Sequence, residues 1–205
     1  MRSIAAAPGR QARPATRSRS AAVKISSEWP LAQLDELLSK QAITELINQY
    51  PRALDRLDRE LLLSLGHADA RVQFGKTVFD DWTKYVDWMM KAHGDMLGNN
   101  HRMTNILIQV DGDSAVSETS GTATLLVQRE GNADEFEDRW MHSRYLDKWS
   151  RRAGRWALDS RLTLIDYRRV NIVSAADVKS RYQCGARTGA DDPSYRLFRD
   201  GGLAS

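Results

Sequence analysis

Apolar residues in the first third of the chain recur at helical spacing. Leu31, Leu34, Leu37, Leu38, Ile43, Leu46, Ile47, Tyr50, Leu54, Leu57 and Leu61 fall three or four apart over about thirty residues, which predicts an amphipathic helix. Pro30 suits its first turn, and Gly66-His67 ends it. "DARVQFG" (69–75) reads as a short strand. "TVFDDWTKYVDWMMKAHGDM" then returns to helical spacing through Phe79, Trp82, Tyr85/Val86 and Met89/Met90, predicting a second helix that closes near Gly94.

Beyond it the pattern turns to β. "HRMTNILIQV" (101–110) meets a hairpin signal at Asp111-Gly112, followed by "SAVSETSGTATLLVQRE" (114–130). A polar loop, "GNADEFED", leads to "RWMHSRYLDKWS" (139–150), and Gly154 turns the chain into "RWALDSRLTLIDYRRV" (155–170). Helices first and hairpin-linked strands afterwards predict an α+β fold, a curved antiparallel sheet with the N-terminal helices packed on one face. Residues 28–170 form this domain. Residues 171–205 are a C-terminal extension, a candidate cover for the pocket or an interface, in which "AADVKSRYQ" is a candidate short helix.

One stretch conflicts with its own pattern. In "NQYPRALDRLD" (48–58), Pro51 cannot donate to the carbonyl of Ile47, and its ring crowds that turn. At about 100° per residue, Asp55 lies roughly 140° from Tyr50, off the apolar stripe, with Asp58 at its edge. A straight helix therefore makes Asp55 a solvated aspartate. A bend at Pro51 would turn it inward.

Alternation places His101, Met103, Asn105 and Leu107 on one strand face, with Thr104, Ile106, Ile108 and Val110 on the other. If the first face lines a pocket, His101 stands at its mouth as a general base for work near neutral pH. The alternative is a hydrogen-bonded structural histidine at a strand end. Trp82, Tyr85, Trp88 and Met89 are core or pocket wall. His142 and Arg144 share a face with Trp140, opposite Tyr145 and Trp149, and line either a cavity or the solvent side. Arg151-Arg152 read as a solvated hairpin tip.

Charge changes the picture of the N-terminus only. Residues 1–27 hold six basic side chains and no acid, and without them 24 basic residues face 27 acidic ones, a net of −3. The pI of about 9.1 thus belongs to a basic tail, read as disordered, and the domain carries no case for nucleic acid. No apolar run approaches membrane-spanning length. Cys184 is the single cysteine, which fits a reducing cytoplasm. His67, His93, His101 and His142 lack metal-ligand spacing, and no phosphate loop, dinucleotide turn or nucleophile elbow occurs. No metal or cofactor is expected, so ordinary side chains would do any chemistry.

Four segments in order, "AITELINQYPRALDRLD" (42–58), "HADARVQFG" (67–75), "HRMTNILIQVDGDSA" (101–115) and "RYLDKWSRRAGRWALDSR" (144–161), resemble SnoaL-like proteins of the nuclear transport factor 2 superfamily. The resemblance implies a cone of curved sheet enclosing an apolar pocket, commonly in homodimers or homotrimers. Its nearest members are cofactor-free dehydratase and dehydrochlorinase lyases. It implies catalytic roles for Asp55 and His101, with Tyr50 at the tyrosine position of the dehydratase type. The dehydrochlorinase type has a lysine where Tyr50 stands, which favours dehydration or a related cleavage, including deformylation. Its assisting arginine falls loosely at Arg151. On this likeness Trp82, Trp88, Met89, Met103, Asn105, His142 and Arg144 are candidate contacts to a hydrophobic aromatic or polycyclic substrate. The rival implication is a non-catalytic β subunit of an aromatic-ring dioxygenase, which resembles this chain at the same positions. A ligand-binding or isomerase member of the fold is the third.

Overall fold

The computed structural model describes residues 30–182 and 192–199. The basic tail and Cys184 lie outside them. The order is α1 (Leu31–Asp55), α2 (Arg59–Ser64), β1 (Gly66–Phe74), β2 (Thr77–Phe79), α3 (Trp82–Gly94), β3 (Met96–Asp111), β4 (Ser114–Gln128), β5 (Glu135–Arg152), β6 (Arg155–Ser174), α4 (Ala175–Arg181) and α5 (Pro193–Arg199). This is the expected α+β architecture, with shifts of boundary: β3 begins at Met96, before the expected 101, and β6 runs on to Ser174, past the expected end of strand and domain at 170. The long first helix ends at Asp55 and restarts at Arg59, where the Asp58 carboxylate caps α2 by accepting from the Leu61 N–H at 2.9 Å. Leu57, at φ 51°, makes the left-handed turn between the two helices. Thr77–Phe79 is an edge strand instead of the first turn of α3, which the Asp81 side chain caps. The expected polar loop is shorter, since Glu135–Asp138 already belong to β5.

The six strands form a curved, unclosed sheet in the order β2-β1-β6-β5-β4-β3. Every pair is antiparallel except β1 with β6, which run parallel, a departure from the all-antiparallel expectation. The β5–β6 hairpin turns at Ala153-Gly154, both at positive φ, a conformation matched to the twist of the strands it joins. On β3 the pairing slips between Thr104 and Leu107, and Asn105 takes φ 49°. This bulge overturns the expected alternation. His101 and Met103 face inward as predicted, but beyond the bulge Ile106, Ile108 and Val110 pack on the core while Leu107 is exposed.

The core lies between the sheet and α1–α3, built on Ile43, Ile47, Leu54, Leu62, Val72, Val86 and Leu158. The apolar stripe of α1 divides: Leu31, Leu34, Leu37 and Leu38 are exposed, and burial begins at Ser39. Among the described residues no helix is long and apolar enough to cross a membrane.

One close approach shapes the inner face. A Cβ added to Gly121 would lie 2.5 Å from the ring of Tyr145 and 3.3 Å from the sulfur of Met103. Gly121→Ala is expected to destabilise the fold by about 1–3 kcal/mol through overpacking, measured by urea denaturation. A wild-type unfolding curve would show that the wall yields freely.

Candidate active site

The last turn of α1 is buried nearly all round. Tyr50, Pro51, Ala53, Leu54 and Asp55 are all buried, because α2, α3, β3 and β6 enclose the helix end. Helical phase assumes one wet face, and here there is none. Asp55 is inside for that reason, and α1 runs through Pro51 to reach it, so no break at the proline is required.

Asp55 grips His101 twice. Its Oδ1 lies 2.6 Å from the His101 Nδ1, and its Oδ2 accepts the His101 backbone N–H at 2.9 Å. A carboxylate can only accept, so Nδ1 carries the proton and Nε2, the opposite edge of the ring, is left as a base. Both side chains are over nine-tenths buried. Beside them, the Asn99 amide donates to the carbonyl of Leu54 at 3.3 Å, a second stitch between α1 and β3.

His101 lines a cavity of about 300 Å³ between α1, α3 and the inner sheet face. Its walls include Tyr50, Leu54, Trp88, Met89, Met141 and Tyr145, with His93, Ser143, Arg139 and Arg168 adding polar groups. His93 donates from Nδ1 to the Met89 carbonyl at 3.0 Å, and its ring packs 5.3 Å from that of His101. Tyr50 and Tyr145 carry this wall into a tyrosine cluster with Tyr85. The hydroxyls of Tyr50 and Tyr85 share a hydrogen bond of 2.5 Å, and Tyr50 meets Tyr145 edge-on at 5.9 Å. The Arg161 guanidinium lies 4.1 Å from the Tyr50 ring centre and 4.7 Å from that of Tyr145. It donates twice, at 2.8 Å each, to the fully buried Asp147. Burial opposes its charge, but the Asp147 carboxylate outweighs that and holds Arg161 charged.

The remaining candidates disperse. Trp88 and Met89 line the cavity. Trp82 lies deeper, its indole N–H shared between the carbonyls of Leu62 and Leu63 and its ring against Gly66. Met103 packs within the wall beside Gly121. Asn105 is exposed at the bulge, outside the cavity. His142 and Arg144 do share a face with Trp140, but it is the outer one: Arg144 pairs with Asp166, and His142 packs on Tyr167. Arg151 bridges Asp35 and Asp113, tying α1 to the β3–β4 turn away from the cavity. The extension does not reach the cavity in its described part, for α5 packs outside the end of α1, with Tyr195 donating to Asp58 at 2.7 Å and Arg52 over the Tyr195 ring.

His93, Arg139, Arg168 and the Arg161–Asp147 pair were not anticipated. One signal for the pair was present. Asp147 alternates with Tyr145 and Trp149, so an inward aromatic face brings a carboxylate with it, and a buried carboxylate needs a cation.

Residues 35–162 match the SnoaL-like domain family. Among solved structures, a type 2 hexachlorocyclohexane dehydrochlorinase superposes with a TM-score of 0.60 at 20% identity, covering 70% of this chain and 94% of that one. A proposed scytalone dehydratase from Novosphingobium aromaticivorans gives 0.59 at 19%, covering 67% and 90%. A proposed aromatic ring hydroxylase from the same organism gives 0.55 at 17%, covering 69% and 96%. No curated protein is significantly similar in sequence. At these identities the likeness is one of fold.

The tyrosine cluster has a consequence for pH. Burial, with Tyr50 close by, pushes the Tyr85 and Tyr145 phenols above their ordinary value. The unfolded chain releases these protons near pH ~10, whereas the folded one retains them. Stability is therefore full below about pH 10 and falls as the pH rises beyond it. Denaturant titrations at stepped pH are expected to show this fall, with a shallower slope in Tyr85→Phe; equal slopes would contradict it.

Proposed function

The chain belongs to the SnoaL-like domain family, and on that premise we propose that it is a cofactor-independent lyase acting on a hydrophobic aromatic or polycyclic small molecule. The observation that carries this reading is the doubly held Asp55–His101 pair on a mostly apolar cavity. A histidine fixed in one tautomer by a buried carboxylate, with its other nitrogen unoccupied, is built to take a proton. The fold neighbours include a dehydrochlorinase and a proposed dehydratase, both names for elimination chemistry.

In a dehydration, His101 Nε2 removes a proton from a carbon next to the one bearing the hydroxyl. The C–H electron pair becomes the new double bond. The C–O bond breaks with its electrons, and the departing oxygen takes a proton from Tyr50. Asp55 balances the charge on the imidazolium, and proton return through solvent restores His101 and Tyr50. The hydrogen bond from Tyr85 to Tyr50 would ease that donation by stabilising the charge that develops on the phenol. Aromatic walls around the pair exclude water and strengthen each of these interactions. In a deformylation, His101 Nε2 would instead take the proton of a primary hydroxyl: the O–H pair becomes the C=O of formaldehyde, the C–C pair becomes the new double bond, and the neighbouring C–O bond breaks with its oxygen taking a proton from Tyr50.

The test is a screen of aromatic diols, steroids and polyketides for loss of water or formaldehyde. His101→Gln and Asp55→Asn are expected to lower turnover about 10²–10⁴-fold while circular dichroism stays that of the wild type. Undiminished turnover in both variants would remove the assignment. A Rieske-bearing partner co-purifying in equal amounts would favour the dioxygenase-subunit reading. The same family reading carries a homodimer or homotrimer. Light scattering is expected to give two or three times the 23.2 kDa chain mass, and a monomer would refute it.

A further inference from the structure

Arg168 is anomalous. β5 and β6 together carry Arg139, Arg144, Arg151, Arg152, Arg155, Arg161, Arg168 and Arg169. Five of these pair with carboxylates, Arg155 donates to the carbonyl of Ser64, and Arg169 lies over the ring of Trp140. Arg168 has neither hydrogen bond nor ion pair among the described residues, yet it lines the cavity. Arg168 is exposed at the edge of this cavity, where a guanidinium that spends no donor on the protein can take an anion in a charge-assisted bond.

The sheet register says where that demand lies. His101 pairs with Ala123, Ala123 with Met141, and Met141 with Arg168, so the four form one row across the inner face. All four line the cavity. His101 and Arg168 thus stand at opposite ends of it, three strand spacings or about 14 Å apart at the backbone. Both line the same cavity, whose volume of about 300 Å³ is enough for one or two fused rings. Arg139 is the diagonal neighbour of Arg168, since it pairs with Val170 two residues further along β6. Its guanidinium is matched by Glu137 at 2.7 Å, so the two arginines and one glutamate leave this end with a net positive charge. Among the described residues no aspartate or glutamate lines the cavity.

We propose that Arg168, supported by Arg139, is an anion subsite, and that the substrate is an arene bearing a carboxylate or similar anionic substituent at the end remote from its reacting carbon. This rests on the lyase reading for what happens at His101, though not for the binding itself. The exposed Arg168 would meet the charged end near solvent, while the apolar remainder enters towards His101.

The test compares 2-naphthoate with its neutral near-isostere 2-naphthamide, by calorimetry or quenching of tryptophan fluorescence, on the full chain. The wild type is expected to bind the carboxylate about tenfold more tightly than the amide. Arg168→Gln is expected to abolish that preference and leave amide binding unchanged, and Arg139→Gln to reduce it by less. His101→Gln is expected to keep the preference while losing any turnover, which separates failure of the subsite from failure of the lyase reading. Acetate alone is expected not to displace naphthoate at equal concentration. Because Arg168 makes no hydrogen bond or ion pair among the described residues, the melting temperature of Arg168→Gln is expected to match the wild type. The proposal is overturned if the wild type shows no carboxylate preference, whether both probes bind alike or neither binds at its solubility limit. It is equally overturned if Arg168→Gln keeps the preference, or if acetate competes as well as naphthoate does.

Discussion

A single carboxylate joins the two halves of this molecule. Asp55 is the last residue of the long helix, and His101 lies in the first strand of the main β run. One oxygen of Asp55 holds the imidazole while the other holds the backbone beneath it. Two constraints on one residue fix both the position of the strand and the rotamer of its side chain. The Asp55–His101 pair and the helix–sheet junction are therefore the same contact. Removing the carboxylate would release the base and one tie of the junction, while the Asn99–Leu54 hydrogen bond and the apolar packing of the helix end still hold it in place.

Around that contact the molecule arranges two kinds of buried charge. The Arg161–Asp147 pair is closed: two donors meet two acceptors, aromatic faces cover the cation, and the cluster stiffens the wall carrying Tyr50. Such a pair contributes little net stability, yet loss of one partner strands the other at several kcal/mol. The Asp55–His101 pair is open, because one ring nitrogen has no partner among the described residues. The closed pair shapes the site, and the open one is free to react.

Legibility in the sequence followed physical scale. Hydrophobic period identified the helices and strands, since burial of one face leaves a regular trace. Segment resemblance singled out Asp55 and His101, where the helical wheel had sent Asp55 to solvent. The wheel failed because it treats a helix as half wet, and the end of α1 is enclosed by elements far along the chain. Asn105 was misplaced because a bulge depends on the partner strand and leaves no local mark. His142 and Arg144 were correctly grouped on one face, but grouping does not say which face turns inward. Arg139 on β5 and Arg168 on β6 leave no local mark either, because which faces of these strands turn to the cavity is set by pairings that run across the sheet from β3.

The bulge at Asn105 also acts as a parity switch. An unbroken strand offers one set of alternate residues to its concave side along its whole length. Here the odd-numbered His101 and Met103 face inward before the slip, and the even-numbered Ile106, Ile108 and Val110 do so after it. The strand can therefore be read as two short sentences with different grammar, one written for a ligand and one for a helix. Mutational drift in either half need not propagate its facing pattern into the other, so the cavity end could diversify its chemistry while the helix-packing end stays apolar.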